Sequence, residues 1–252
     1  MRLVSYQSGN ALTQPQLSLL NFRFLNILSD CLMVPSSNAA PMPVPRTEPR
    51  LPAIIALLAV GGIYTALPSF LTVGPRWLLL AVVGILLIPT VISHRTGHHE
   101  LNRVLGYVVS AVITLAMVLS LILLIKALPT RAEAAPELLQ SAGALWLTNI
   151  LVFALWYWRL DGGGPLQRDR RGSHTEGAFL FPQMTQYSKT AAEDNWSPRF
   201  IDYLFMAFNT STAFSPSDTP VLSRWAKVLT MLQSAISLII VALLASRAIG
   251  IL

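Results

Sequence analysis

The sequence predicts an all-α, polytopic membrane protein, and three observations lead to that fold class. Hydrophobic residues make up 53% of the 252 residues and charged residues only 12%, whereas a soluble domain usually has about 25% charged residues. The mean hydropathy is +0.55. Apolar runs near the length that crosses a bilayer as a helix recur along the chain. Because a helix satisfies its own backbone polar groups, we expect about five long transmembrane helices.

Four of these runs form one region, residues 51–158. Trp77 and Trp158 stand at the edges of their runs, where amphipathic rings meet the headgroups. The fifth run closes the chain. The predicted spans are residues 51–71, 77–93, 104–125, 138–158 and 225–252.

Two polar segments flank the four-helix region. Residues 1–50 contain a Pro- and Ser-rich stretch, typical of disorder. Residues 159–198 mix both charge signs with Gly, Pro and Ser, which predicts a polar loop. Gly162, Gly163 and Gly164 suggest either a phosphate-binding loop or a flexible connection. The absence of a following Gly-Lys-Ser/Thr favours the flexible connection.

The net charge of +6 also bears on partners. In a chain this apolar, Lys and Arg commonly flank spans on the cytoplasmic side. The arginine distribution places the N-terminus and the loop after Trp158 in the cytoplasm. No basic, aromatic-interleaved domain is present, so we expect no nucleic-acid partner. The lipid bilayer is the expected partner and the cell membrane, with several passes, the expected location.

The residues offer little catalytic or metal-binding chemistry. Cys31 is the single cysteine, so an intramolecular disulfide and a thiolate metal site are excluded. His94, His98 and Glu100 fall within HRTGHHE, which fits either a metal site or a polar loop between spans. The loop interpretation is favoured, and no nucleophile–His–acid arrangement is recognisable. We therefore predict no metal, no cofactor and no enzymatic activity.

A polar turn, FNTSTAFSPSDTP, precedes the final span. Its first eleven residues align without gaps to the pore signature of two-transmembrane potassium channels, roughly F-T-T-L-T-T-V-G-Y-G-D. The following TPVLSRWAK and the long apolar segment are similar to that family's post-filter turn and inner helix. The resemblance covers about residues 200–252. The matching positions of the signature are Phe208, Thr210, Thr212 and Asp218.

This resemblance implies a pore helix, a filter and an inner helix in a homo-oligomer that passes monovalent cations. The filter positions depart from the family. Ser215 and Ser217 replace its glycines, Pro216 its tyrosine and Ala213 its threonine. Because those glycines adopt positive φ cheaply and proline fixes φ near −65°, a potassium-selective filter is not expected. The predicted filter-like residues are Thr210, Thr212, Ala213, Phe214, Ser215, Pro216, Ser217 and Asp218.

The same turn also fits a purely structural role, in which its hydroxyls cap helix ends and Pro216 forces the bend. A second polar set lies on the final span, where Thr230, Gln233, Ser234 and Ser237 share one helical face. This face either lines a pore or forms a packing seam or oligomer contact. Asn149, inside the fourth span, is predicted to bond another helix.

Two functional hypotheses follow. The first is a channel-like protein with a non-standard filter. The alternative is a non-conducting scaffold or small transporter subunit that uses its helix–turn–helix for packing. The short helix before the turn either re-enters or crosses. A potassium-channel pore helix enters from outside, whereas the arginine distribution places the preceding loop inside.

Overall fold

The computed structural model describes residues 48–95, 99–127, 135–171, 177–185, 196–216 and 218–249. In these residues the all-α prediction is confirmed, since the only strand-like pairing in the described ranges is an isolated bridge between Phe179 and Val221. Almost all of the segment predicted to be disordered, residues 1–50, lies outside these ranges. Ser217 and His98 also lie outside them. The helices are α1 Leu51–Ala66, α2 Leu78–Arg95, α3 His99–Ala127, α4 Ala135–Leu160, α5 Pro165–Asp169, α6 Pro182–Thr185, α7 Phe200–Thr212 and α8 Arg224–Ile249.

Helices form over all five predicted spans, but they differ in length. Three of them, α3, α4 and α8, are long and apolar enough to cross a membrane. Helix α1 has 16 residues, or about 24 Å against a hydrocarbon core of about 30 Å. Helix α2 is apolar over a comparably short stretch. Length and composition therefore identify three candidate spans among the described helices, fewer than the five predicted.

Five arginines of the described ranges lie together at one end of the bundle. Residues from the start of α1, the start of α3, the end of α4 and α5 line a single cavity, so these helix ends lie together. Arg76, in the connection between α1 and α2, and Lys126, in the last turn of α3, lie at the opposite end. We call the first end the arginine end, defined by Arg50, Arg103, Arg159, Arg168 and Arg170.

Helix α4 is the centre of the bundle and contacts α1, α3, α7 and α8. Val152, Phe153, Ala154 and Leu155 are four consecutive residues, and each is at most 1% exposed. A helix at the edge of a bundle buries one stripe, so burial at four successive positions means that α4 is covered on every side. Residues that α4 presents at mid-height are therefore shielded from the surroundings of the bundle by the other helices.

Helix α7 runs antiparallel to α4. Its first turn lies at the arginine end, where the Tyr203 hydroxyl donates to Asp161 Oδ2 at 2.6 Å. Its last turn lies much farther along α4, where Asn149 Nδ2 is 3.4 Å from Ser211 Oγ. The short helix therefore leads away from the arginine end.

Helix α8 runs in the same direction as α7. Gln233 accepts a hydrogen bond from the Tyr157 hydroxyl at 2.6 Å, and Ser237, one turn later, contacts Asn149 at 3.1 Å. Because α8 is also antiparallel to α4, the chain must come back to the arginine end between α7 and α8.

Backbone pairing shows that return. The Leu180 amide donates to the Pro220 carbonyl at 2.9 Å, and the Leu222 amide donates to the Ala178 carbonyl at 2.8 Å. The Ala178 amide in turn donates to Asp161 Oδ1 at 2.5 Å. Residues 220–222 are thus held beside the end of α4, and the chain enters along α7 and returns to the same end.

Candidate functional site

The segment that brings the chain back, residues 213–221, is named the return segment here. It starts at the C-terminus of α7, where the Ala213 amide donates to the Asn209 carbonyl at 2.8 Å. Phe214 then takes φ +55°, the one non-glycine residue of the described ranges with positive φ. This conformation costs an L-residue about 1–2 kcal/mol, and it turns the chain out of the helix.

The predicted filter-like residues divide between the interior and the surface. Thr210 is buried, and its hydroxyl donates to the Met206 carbonyl at 2.8 Å. Thr212 is exposed and donates to the Phe208 carbonyl at 3.0 Å. Pro216 is half-buried, and Ser217 lies outside the described residues. The exposed remainder of the set consists of Ala213, Phe214, Ser215 and Asp218.

The end of α7 lies deep along the bundle. Ser211 meets Asn149. Asn149 lies twelve residues before Asp161, which directly follows α4, or about 18 Å along the helix axis. Half of a hydrocarbon core is about 15 Å. If Asp161 marks the edge of the bilayer, the non-helical return segment begins near its middle.

The polar face of α8 is turned inwards. Gln233 and Ser237 are both 0% exposed and Thr230 is buried, while Ser234 is half-buried. The Gln233 amide nitrogen donates to the Ala207 carbonyl at 2.7 Å and to Ser211 Oγ at 2.8 Å. Together with the bond from Tyr157, these contacts join α4, α7 and α8 within one chain.

Asn149 completes this network. Its side-chain nitrogen lies 3.1 Å from Ser237 Oγ and 3.3 Å from the Gln233 carbonyl. The prediction that Asn149 bonds another helix is confirmed. We call Asn149, Tyr157, Ser211, Gln233 and Ser237 the polar network.

The outward face of α8 is apolar. Met231 is 70% exposed, and the large exposed side chains of this helix from Val228 to Val241 are all apolar. In a bilayer such a face contacts lipid or another subunit. These side chains are Val228, Met231, Leu232, Leu238, Ile239 and Val241.

A buried ionic cluster at the arginine end was not predicted from the sequence. Arg168 is 3% exposed. Its guanidinium donates to the carbonyls of Trp158 and Asp161, both at 2.8 Å, and to Glu48 Oε2 at 3.1 Å. It also lies over the Tyr203 ring at 5.1 Å. This one side chain ties the end of α4 to α7 and to the segment before α1.

Glu48 and Arg50 extend the cluster. The Glu48 carboxylate accepts hydrogen bonds from Trp158 Nε1 at 2.6 Å and from the Phe200 amide at 2.9 Å. Arg50 forms an ion pair with Asp169. Burial lowers the pKa of Arg50, while the charges of Asp169 and Glu48 oppose that shift. The carboxylates therefore compensate the cost of taking the guanidinium out of water.

Glycine shapes the turn that returns Arg168 to α4. Gly162, Gly163 and Gly164 all have positive φ, at 59°, 80° and 93°. A Cβ on Gly164 would lie 2.9 Å from the Arg159 carbonyl oxygen. The run forms a tight turn, in which the Gly164 amide donates to the Asp161 carbonyl at 2.9 Å.

A cavity of about 910 Å³ opens beside this cluster. Leu57 of α1, Leu87 of α2 and Leu101 of α3 line its apolar part. Arg159 and Arg170 lie at its polar part, with Arg50, Arg103 and Glu100 also in the lining. The predicted filter-like residues do not line it.

The described ranges contain no group of three or more His, Cys, Asp or Glu side chains arranged to hold a metal ion. Of the HRTGHHE candidates, His98 lies outside those ranges, and Glu100 faces solvent 3.6 Å from Arg103.

No family model, curated protein or solved structure matches the chain. Function is therefore inferred from the geometry of the return segment, the polar network and the cavity.

Proposed function

We propose that the chain is a multi-pass protein of the cell membrane with five spans, α1 to α4 and α8, and a re-entrant helix α7. In this proposal it is channel-like and oligomeric, and the return segment lines a hydrated path between subunits. The order of short helix, non-helical return and long helix is that of the potassium-channel pore unit which residues 200–252 resemble.

The observation that carries this proposal is the exposure of the return segment at depth. Phe214 is 43% exposed, and its chain neighbours Thr212 and Ser215 are exposed as well. Asp218, also exposed, lies two residues before the part of the chain held at the arginine end. Non-helical backbone and hydroxyl groups within hydrocarbon are tolerated only against protein or water. In a bilayer this surface must therefore meet another subunit, a water-filled space, or both.

The path is not a potassium filter in this proposal. Ser215 and Pro216 stand where the family has glycine and tyrosine, and proline cannot adopt the positive φ that points successive carbonyls at an ion. The arginine end is the cytoplasmic end by the positive-inside rule. Helix α7 therefore enters from the inside, the reverse of the family's orientation.

Cysteine labelling tests the hydration of the return segment. After Cys31→Ser the chain has no other cysteine. We expect Ser215→Cys to react with a charged, impermeant thiosulfonate reagent at least about tenfold faster than Met231→Cys, since reaction needs a solvated thiolate. Met231 is the matched control because it is exposed on the apolar face of α8.

Sidedness is measured in the same experiment. The reagent should reach Ser215→Cys from the side that also labels Arg170→Cys. Equal labelling rates for the Ser215→Cys and Met231→Cys variants would contradict the proposed hydrated path. Labelling of Ser215→Cys only from the side opposite Arg170→Cys would show that α7 crosses and would end the pore proposal.

Conduction is the direct test. In planar bilayers we expect cation currents from the reconstituted oligomer, reduced several-fold by Asp218→Asn because a carboxylate at a constriction raises the local cation concentration. Glu100→Gln is the control, since it removes an exposed carboxylate outside the return segment. Currents that are indifferent to Asp218→Asn would exclude Asp218 from the pathway.

One observation favours the alternative, a non-conducting scaffold or small transporter subunit. The polar face of α8 is occupied within a single chain by Tyr157, Ser211 and Asn149. A final helix that packs in this way uses its polar face to stabilise its own chain. Only its apolar face then remains for contact with other subunits. Silent bilayers from folded, oligomeric protein would establish this alternative over the channel.

A further inference from the structure

We propose that the cavity at the arginine end binds one anionic phospholipid. Its phosphate lies between Arg159 and Arg170, and one acyl chain follows the apolar wall formed by α1, α2 and α3. This inference rests on the membrane location in the proposed function and is independent of conduction.

Arg159 is the main reason for an anionic ligand. Its guanidinium lies over the Trp158 ring at 5.7 Å, and its Nε is buried without a hydrogen-bond partner. Among the described residues Arg159 has no ion pair. It is half-buried, and a charge taken partly out of water is costly unless an anion pairs with it. A phosphate in the cavity would supply both the counter-charge and the acceptors.

The other arginines that line the cavity differ in whether a carboxylate already pairs with them. Arg50 pairs with Asp169 and Glu48, and Arg103 lies 3.6 Å from the exposed Glu100. Arg170 is exposed, and among the described residues it has no ion pair. Arg159 and Arg170 are thus the two guanidinium groups of the lining that remain for a ligand, and guanidinium matches phosphate geometry.

The remaining wall indicates a lipid in preference to free phosphate. Ile54, Leu57 and Leu87 form an apolar surface next to the arginines. Leu101 also lines the cavity and is 51% exposed, so an apolar rim continues from the cavity to the outside of the bundle. A volume of about 910 Å³ holds far more than a phosphate ion, and basic pockets between membrane helices suit acidic headgroups.

Gly106 allows Arg159 to occupy its position. A Cβ at Gly106 would lie 1.4 Å from Arg159 Nη1, so the guanidinium rests directly on the backbone of α3. Gly106→Ala therefore displaces the guanidinium and keeps the charge. This variant separates a placed guanidinium from a general effect of net charge.

The test is native mass spectrometry of delipidated protein in neutral detergent, titrated with dioleoyl phosphatidylglycerol or dioleoyl phosphatidylcholine. We expect one phosphatidylglycerol per chain, bound at least about tenfold more tightly than phosphatidylcholine. Both lipids present a phosphate to the arginines, but phosphatidylcholine also carries a cationic trimethylammonium group that the arginines repel. Inorganic phosphate is added as a competitor and should displace the lipid only at far higher concentration.

Four variants locate the site. Arg159→Gln and Gly106→Ala should each weaken phosphatidylglycerol binding about tenfold, and Arg170→Gln about threefold. Arg76→Gln is the matched control because Arg76 is exposed in the connection at the opposite end, and its binding should equal that of the parent. Arg170→Gln changes an exposed side chain, so it reports on the site even if a buried variant fails to fold.

Three results would overturn the inference. Equal binding of the two lipids would remove the anionic preference, and unchanged binding in Arg159→Gln and Arg170→Gln would remove the site. Displacement by inorganic phosphate at concentrations comparable to the lipid would replace the lipid with a free phosphate. An absence of currents in planar bilayers would not change any of these lipid-binding results. Failure of the channel proposal is therefore distinguishable from failure of this one.

Discussion

Arg168→Met is expected to lower the free energy of unfolding by about 3–5 kcal/mol. The substitution keeps an unbranched side chain but removes every donor of the guanidinium. Glu48 would lose the closer of its two ion pairs and keep only Arg50 at 3.5 Å as a counter-charge. The carbonyls of Trp158 and Asp161 would each lose a hydrogen bond at 2.8 Å. A buried carboxylate with a weaker ion pair and two buried carbonyls without donors together make the effect large.

Denaturation of the purified protein in mild detergent measures this change. Arg170→Met is the control, since Arg170 is two residues away, carries the same charge and is exposed. Its stability should lie within about 0.5 kcal/mol of the parent. An equally small decrease in the free energy of unfolding for both variants would mean that the ionic cluster does not hold α4, α7 and the segment before α1 together.

Gln233→Met is expected to cost about 2 kcal/mol. Methionine fills a similar volume but leaves the Ala207 carbonyl, Ser211 Oγ and the Tyr157 hydroxyl without the partners at 2.7, 2.8 and 2.6 Å. Single side-chain hydrogen bonds between membrane helices contribute about 0.6 kcal/mol on average. The loss of three such bonds at fully buried positions therefore adds up to about 2 kcal/mol.

The neighbouring Ser234 provides the control for this prediction. Ser234 is half-buried on the same helix, and Ser234→Ala should change stability by less than about 0.5 kcal/mol. Adding Tyr157→Phe to Gln233→Met should cost less than the two single effects combined, because no hydroxyl is then left unpaired. Strict additivity would mean that Tyr157 and Gln233 are not energetically coupled.

Local composition was sufficient to locate the long helices. The runs around Leu57, Val83, Ile113, Phe153 and Ile240 are apolar over many residues, and each of these five side chains is buried in a helix. A continuous apolar run has few structural solutions, since its backbone must be hydrogen-bonded internally wherever water is excluded. Whether each helix spans a bilayer depends on its length, which the structure supports for α3, α4 and α8.

The candidate site was only partly accessible to sequence reasoning. The spacing of Gln233 and Ser237 placed them on one helical face, but the identity of the facing residues depends on how α8 packs. Arg168 stands within a charged, glycine-rich stretch that is typical of a solvated loop. Its burial depends on the positive φ angles of Gly162 to Gly164, which return the chain to the end of α4. The run of three glycines was the available signal.

The sequence by itself determined the helical class, the polar turn before the last helix and the arginine distribution, because each depends on residue type and short-range spacing. Only the tertiary structure decided that α7 and α8 run in the same direction, with the chain returning to the arginine end between them. That decision depends on contacts between residues far apart in the chain, such as Tyr203 with Asp161 and Leu222 with Ala178. No local pattern encodes those pairings, since they arise from the simultaneous fit of side chains around α4.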